Sequence, residues 1–103
     1  TNGDHASGIE ALRAAVRANP GLERAHIYLG RSLVFVADPD DHLDDNYPEA
    51  ESALLRGLEL DLPSTLLPMA HFTLAELYRR TGRPTQANRH QALANEAQRA
   101  LGR

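Results

Sequence analysis

One arrangement of residues occurs twice in this chain, 45 positions apart. Leu29-Gly30 followed by Leu33 is matched by Leu74-Ala75 followed by Tyr78, and His26 and His71 stand three residues ahead of the two pairs. A pattern that recurs at a fixed interval specifies a unit that stacks on copies of itself, each unit burying a face its neighbour supplies. The spacing within the unit is helical, and no segment shows the strict alternation of a half-buried strand.

Five amphipathic stretches carry this periodicity. Asp4–Asn19 has Ile9, Leu12, Ala15 and Val16 on one face, with Asp4 or Ser7 expected to cap its start. Asn19-Pro20-Gly21 ends it, because Pro20 has no N–H to extend the ladder and Gly21 is expected to take a positive φ. Glu23–Ala37 is apolar on more than one side (Ile27, Leu29, Leu33, Val34, Val36), as suits an element packed between neighbours. The proline-broken acidic stretch 38–46 reads as a loop. Tyr47–Leu60 follows, with Pro48 in the first helical position and Glu49 and Glu51 near the positive helix end; Ala50, Leu54, Gly57 and Leu58 form its buried face. A second loop over 61–67 leads into Pro68–Arg80, closed by Gly82, and Thr85–Leu101 completes the set. The expected architecture is all-α: antiparallel helix-turn-helix repeats forming a short right-handed α-solenoid of five helices.

These residues resemble the tetratricopeptide repeat family. Ile9, Leu12, Ala15, Val16 and Pro20 match the second half of one repeat. His26, Leu29, Gly30, Leu33, Tyr47, Ala50, Leu54, Gly57 and Leu58 match a full repeat, and His71, Leu74, Ala75, Tyr78, Gly82 and Ala87 match another. The resemblance covers residues 1–103 as one domain: a half repeat over 4–20, a repeat over 23–60 interrupted by an insertion at 38–46, and a repeat over 68–101. Histidine takes the aromatic position at 26 and 71, and Gln91 and Asn95 stand where apolar residues are usual. Gly30, Ala50, Gly57, Ala75 and Ala87 are read as the small residues that let helices approach, so a large side chain at Gly30 or Ala50 should cost about 1–3 kcal/mol through overpacking.

What the resemblance implies is a non-catalytic module whose concave surface holds a peptide or partner protein. Arg24, Ile27, Arg31, Val34 and Phe35 would line that surface from the second helix, and Met69, Phe72, Glu76, Arg79 and Arg80 from the fourth. Guanidinium groups beside apolar side chains suit an acid-bearing peptide in extended or helical form. The Lys/Asn carboxylate clamp used by chaperone-tail binders of the family has no counterpart, since the chain contains no lysine. Alternatives are a self-associating scaffold, with homo-oligomers as its product, and a repeat segment of a larger multidomain protein.

Composition narrows the classes further. The chain has 103 residues, a net charge of -3 and no cysteine, which removes disulfides, thiolate metal sites and cysteine nucleophiles. A slightly acidic balance does not fit nucleic acid, which needs a basic face to displace phosphate counterions. No apolar run is long enough for membrane insertion. The all-arginine basic set reads as a GC-rich bacterial genome, with the cytoplasm favoured over the periplasm and neither fixed by the sequence. Charge is blocked along the chain: residues 38–61 hold nine acids against Arg56, whereas 62–103 hold six arginines against Glu76 and Glu96.

Two further features invite chemistry. Asp38, Asp40, His42, Asp44, Asn46 and Glu49 fall at the ligand spacing of a helix-loop-helix calcium site, but Leu43 replaces the glycine that its turn needs. The expectation is an exposed insertion and no metal, with Asp38, Asp40, Asp44 and Glu49 as the residues that would hold a cation; docking of a basic partner is the other reading. His5, His26, His42, His71 and His90 show no zinc-site spacing, and His26 and His71 are read as packing residues. No nucleophile-base pairing or phosphate-binding glycine loop is present, so no catalytic residue and no cofactor are expected.

Overall fold

The computed structural model describes residues 2–102, with side chains over 6–102. The all-α, five-helix architecture is observed. The helices are α1 (Asn2–Ala18), α2 (Glu23–Val36), α3 (Asn46–Glu59), α4 (Leu67–Arg80) and α5 (Pro84–Leu101), and no strand occurs among the described residues. α2 packs chiefly on α3 and α4 on α5, giving two helical hairpins; α1 lies on α2, and the hairpins meet through α4 against α2 and α3.

The first hairpin is locked by two glycines facing two apolar side chains. A Cβ placed on Gly30 of α2 would run into Leu54 Cγ of α3 and come within 2.8 Å of Leu54 Cδ2. A Cβ on Gly57 of α3 would come within 2.5 Å of Ile27 Cδ1 and 2.8 Å of Ile27 Cγ1 on α2. Position rises along α3 as it falls along α2, which is the signature of antiparallel helices. Ile27, Leu54 and Ala50 are fully buried there, in one core with Ile9, Leu33, Tyr47, Leu74, Leu77, Tyr78 and Ala87. The expectation for the small residues thus holds at Gly30 and Gly57, where contact is closest.

Charged groups on α3 tie the hairpins to their neighbours. Arg13 of α1 donates from Nε and Nη2 to Glu49, at 2.8 and 2.7 Å. Arg83, in the turn after α4, donates from Nη1 and Nη2 to Glu51, at 3.1 and 3.0 Å. The Tyr78 hydroxyl donates to the same carboxylate at 2.9 Å, and the Arg83 guanidinium lies 4.6 Å from the Tyr78 ring centre. Glu49 and Glu51 therefore do more than complement a helix end: each forms a bidentate pair with a neighbouring element.

Helix boundaries differ from expectation by one or two residues, with local causes. α3 begins at Asn46, so Pro48 is its third residue, still within the turn whose N–H groups have no helical acceptor. Ser7 lies inside α1 and is exposed, so it caps nothing; the role expected of Asp4 falls outside the described side chains. Gly21 does not take a positive φ. α1 ends instead in a turn closed by Asn19, whose Oδ1 accepts from Gly21 N at 3.2 Å and whose carbonyl accepts from Leu22 N at 3.0 Å. Among the described residues it is Gly82 that has a positive φ, at 74°. Arg83 N donates to Tyr78 O at 2.8 Å and Gly82 N to Arg79 O at 3.3 Å, the paired bonds of a Schellman cap. The loop before α4 contains a short 3-10 turn, Ser64–Leu66, that periodicity did not anticipate.

Candidate protein-interaction groove

Arg24, Tyr28, Arg31 and Phe35 recur at helical spacing on α2 and share one face. Phe72, Thr73, Glu76 and Arg80 form the facing stripe on α4. Between them lies a shallow depression of about 250 Å³ lined by Arg31, Val34, Phe35, Phe72, Thr73, Glu76 and Arg80. It adjoins a second depression lined by Tyr28, Arg31, Ser32 and Phe35. Phe35 is 69% exposed and Phe72 38%, so two aromatic side chains face solvent on adjacent helices.

The electrostatics of the depression are uneven. Glu76 accepts from Arg80 Nε at 2.7 Å and from Arg79 Nη2 at 3.0 Å. Those hydrogen bonds, Arg79's foremost, hold its carboxyl below the usual range against the burial that would raise it. Arg80 also donates to Val34 O at 3.0 Å, pinning α4 to α2. Arg79 also reaches Gln91 of α5 at 3.3 Å. Arg24 and Arg31 are exposed and form no ion pair among the described residues. The face thus presents four guanidinium groups to one carboxylate.

Of the residues expected to line this surface, Ile27 and Met69 lie elsewhere. Ile27 is fully buried and points between α2 and α3 onto Gly57, so it belongs to the core. Val34 is 5% exposed and contributes an edge of the floor. Met69 packs against the core at the start of α4. Tyr28, Ser32 and Thr73 were not anticipated; the i, i+4, i+7 series from Arg24 through Tyr28 to Arg31 was the available signal.

No family model, curated protein or solved structure matches this sequence.

The acidic loop does not gather ligands. Asp38 Oδ1 accepts from Asp40 N at 2.9 Å, Asp41 Oδ1 from Leu43 N at 3.0 Å, and Asp44 from Asp38 N at 3.0 Å and Asn46 N at 2.8 Å. Three of the acids are thus turned onto the loop's own backbone. Glu49 is committed to Arg13, whose hydrogen bonds lower its pKa. Among the described residues no group of three metal-ligating side chains converges.

The histidines His26 and His71 are half-buried, and each has a polar partner that the spacing did not reveal. His26 Nε2 lies 2.9 Å from Pro20 O, across the turn before α2. His71 pairs with His90 of α5, Nδ1 to Nδ1 at 2.9 Å. Ring centres 5.2 Å apart with nitrogens that close place the rings end to end, so one imidazole donates and the other accepts. The Tyr78 ring lies 5.5 Å from His90. Burial, reinforced by His90, lowers the pKa of His71; burial, reinforced by Arg89, lowers that of His90.

Proposed function

We propose that this chain is a short tetratricopeptide-type repeat domain that binds acid-bearing segments of protein partners in the groove between α2 and α4, without catalysing a reaction. The observation that carries the reading is the exposure of Phe35 and Phe72 on adjacent helices, flanked by guanidinium groups of which Arg31 has no ion-pair partner among the described residues. Aromatic surface supplies apolar burial for an anchor residue, and guanidinium forks select a carboxylate beside it. Glu76 holds Arg79 and Arg80 in place on the second wall. The paired packing of α2 with α3 and of α4 with α5, and the two close-approach glycines, support the repeat assignment.

The test is a set of short acidic peptides carrying one aromatic or aliphatic anchor, titrated by fluorescence anisotropy against wild type and Arg31→Glu. The expected result is binding by the wild type and a tenfold or greater loss in the variant, equivalent to about 1.4 kcal/mol. Replacing the peptide acids by amides should give a similar loss. Equal binding by the two proteins would move the site away from α2 and α4.

A further inference from the structure

The most exposed large apolar side chain among the described residues is not in the groove. It is Leu43, 75% exposed, in the loop between α2 and α3. Asp40, Asp41, Asp44 and Asp45 flank it. The loop therefore carries what the groove is suited to receive: one apolar anchor among carboxylates. We propose that the groove of one copy of this chain receives the acidic loop of a second copy, with Leu43 set against Phe35 and Phe72 and the flanking aspartates against Arg31 and Arg24. The inference rests on the groove reading above and names its occupant.

Three observations support it. The first is complementary charge: four guanidiniums against one carboxylate on the α2–α4 face, and five aspartates in the loop with no compensating arginine. The second is loop shape. Side-chain bonds from Asp38, Asp41 and Asp44 to loop amides, together with the Tyr47 hydroxyl donating to Asp38 O at 2.8 Å, hold the loop in one form. A preshaped segment loses little freedom on docking. Asp40 and Asp45 accept no hydrogen bond among the described residues and remain available to a partner. The third is the 75% exposure of Leu43: the loop does not fill its own chain's groove, so a contact between loop and groove joins two copies. Loop and groove are different surfaces, so two copies either exchange loops reciprocally and stop at a dimer or add head to tail and continue.

Sedimentation equilibrium over a range of concentrations tests this, with Arg31→Glu as the groove variant and Leu43→Ser as the loop variant. Both positions are exposed, and unchanged far-UV circular dichroism checks that the fold is kept. The wild type should rise with concentration from the 11.3 kDa of one chain to twice that or more. Added salt should weaken association, because exposed charges more than about 10 Å apart are largely screened at 0.1 M ionic strength. Each variant alone should associate at least tenfold more weakly. An equal mixture of the two should recover association, since one intact groove and one intact loop remain, and it should stop at two chains. A wild type that stays at 11.3 kDa throughout, or association that neither variant weakens, would overturn the proposal. If the wild type stays single yet binds acidic peptides through Arg31, the loop proposal fails and the groove reading stands. If neither occurs, both fail.

Discussion

Arg83 and Glu51 face each other as two parallel hydrogen bonds, at 3.0 and 3.1 Å, across the junction between the two hairpins. The same carboxylate takes the Tyr78 hydroxyl, so its loss strips acceptors from two donors at once. Glu51→Ala should destabilise the fold by about 1–2 kcal/mol, the lower part of the charged hydrogen-bond range, because the Arg83 side chain is 35% exposed and partly screened. Urea unfolding measures this. Burial and the Glu51 carboxylate push the Tyr78 hydroxyl up to about 12, so phenolate absorbance in Glu51→Ala should appear at lower pH than in the wild type. A variant with unchanged stability would show that the apolar contacts between hairpins suffice.

Substituting glycine in a helix has opposite expected signs at different positions. Alanine is favoured over glycine in a helix by about 1 kcal/mol. Gly8 has open space around its Cβ position, so Gly8→Ala should gain up to about that amount. At Gly30 the new methyl meets Leu54 Cγ, a branch point with no free end to swing away. Gly30→Ala should therefore lose about 1–3 kcal/mol net of the propensity gain. Adding Leu54→Ala should make the pair of changes less harmful than the sum of the singles. Strict additivity in denaturant midpoints would sink the interlock between the two side chains.

Acid should loosen the α4–α5 hairpin before it loosens α2–α3. The folded state lowers the pKa values of His71 and His90, so unfolding takes up protons as pH falls. Their contribution is whole above the unfolded imidazole value of about 6.5 and is lost as pH drops below it. A second proton would also set N–H against N–H where the two rings meet. Melting temperature should fall between pH 6.5 and 5 in the wild type, and His90→Gln should flatten that fall. A slope unchanged by His90→Gln would place the acid sensitivity in the carboxylates.

How much of this was legible in the sequence varies with the kind of interaction. Helical periodicity located all five helices, and the glycines at 30 and 57 fall at repeat positions where helices approach closely, whereas Gly8, also inside a helix, has open space around it. Partners distant in sequence carried no such signal. His71 and His90 are 19 residues apart on different helices, and their pairing depends on how α4 rolls against α5. Ile27 was assigned to the groove by repeat register, whereas α2 is turned so that Ile27 fills the notch at Gly57. Composition showed the acids of 38–46 as a cluster but not the direction of their carboxylates, which local amides capture.

That last point alters what shortening the loop should do. As an insertion absent from the repeat pattern, residues 40–45 look dispensable. Asp44, however, accepts from Asn46 N at the start of α3 and from Asp38 N at the start of the loop, and these bonds lower its pKa. Asp44→Ala should lower the melting temperature while Asp45→Ala leaves it unchanged. The Asp44 contribution is present above the unfolded carboxyl value and disappears as pH falls through the folded one. Thermal melts at neutral pH and near pH 3 decide this, and equal effects at both would show that the bonds from Asn46 N and Asp38 N to the Asp44 carboxylate carry none of the stability.

The reciprocal seats at Gly30 and Gly57 bear on how such a chain can diversify. Leu54 occupies the space a side chain at 30 would need, and Ile27 the space one at 57 would need. Bulk can be exchanged across each seat but not added to one side of it. Descendants of this chain should therefore vary at 27 and 57, and at 30 and 54, as matched pairs. A library that randomises the four positions together should yield folded members that one-at-a-time substitution never reaches.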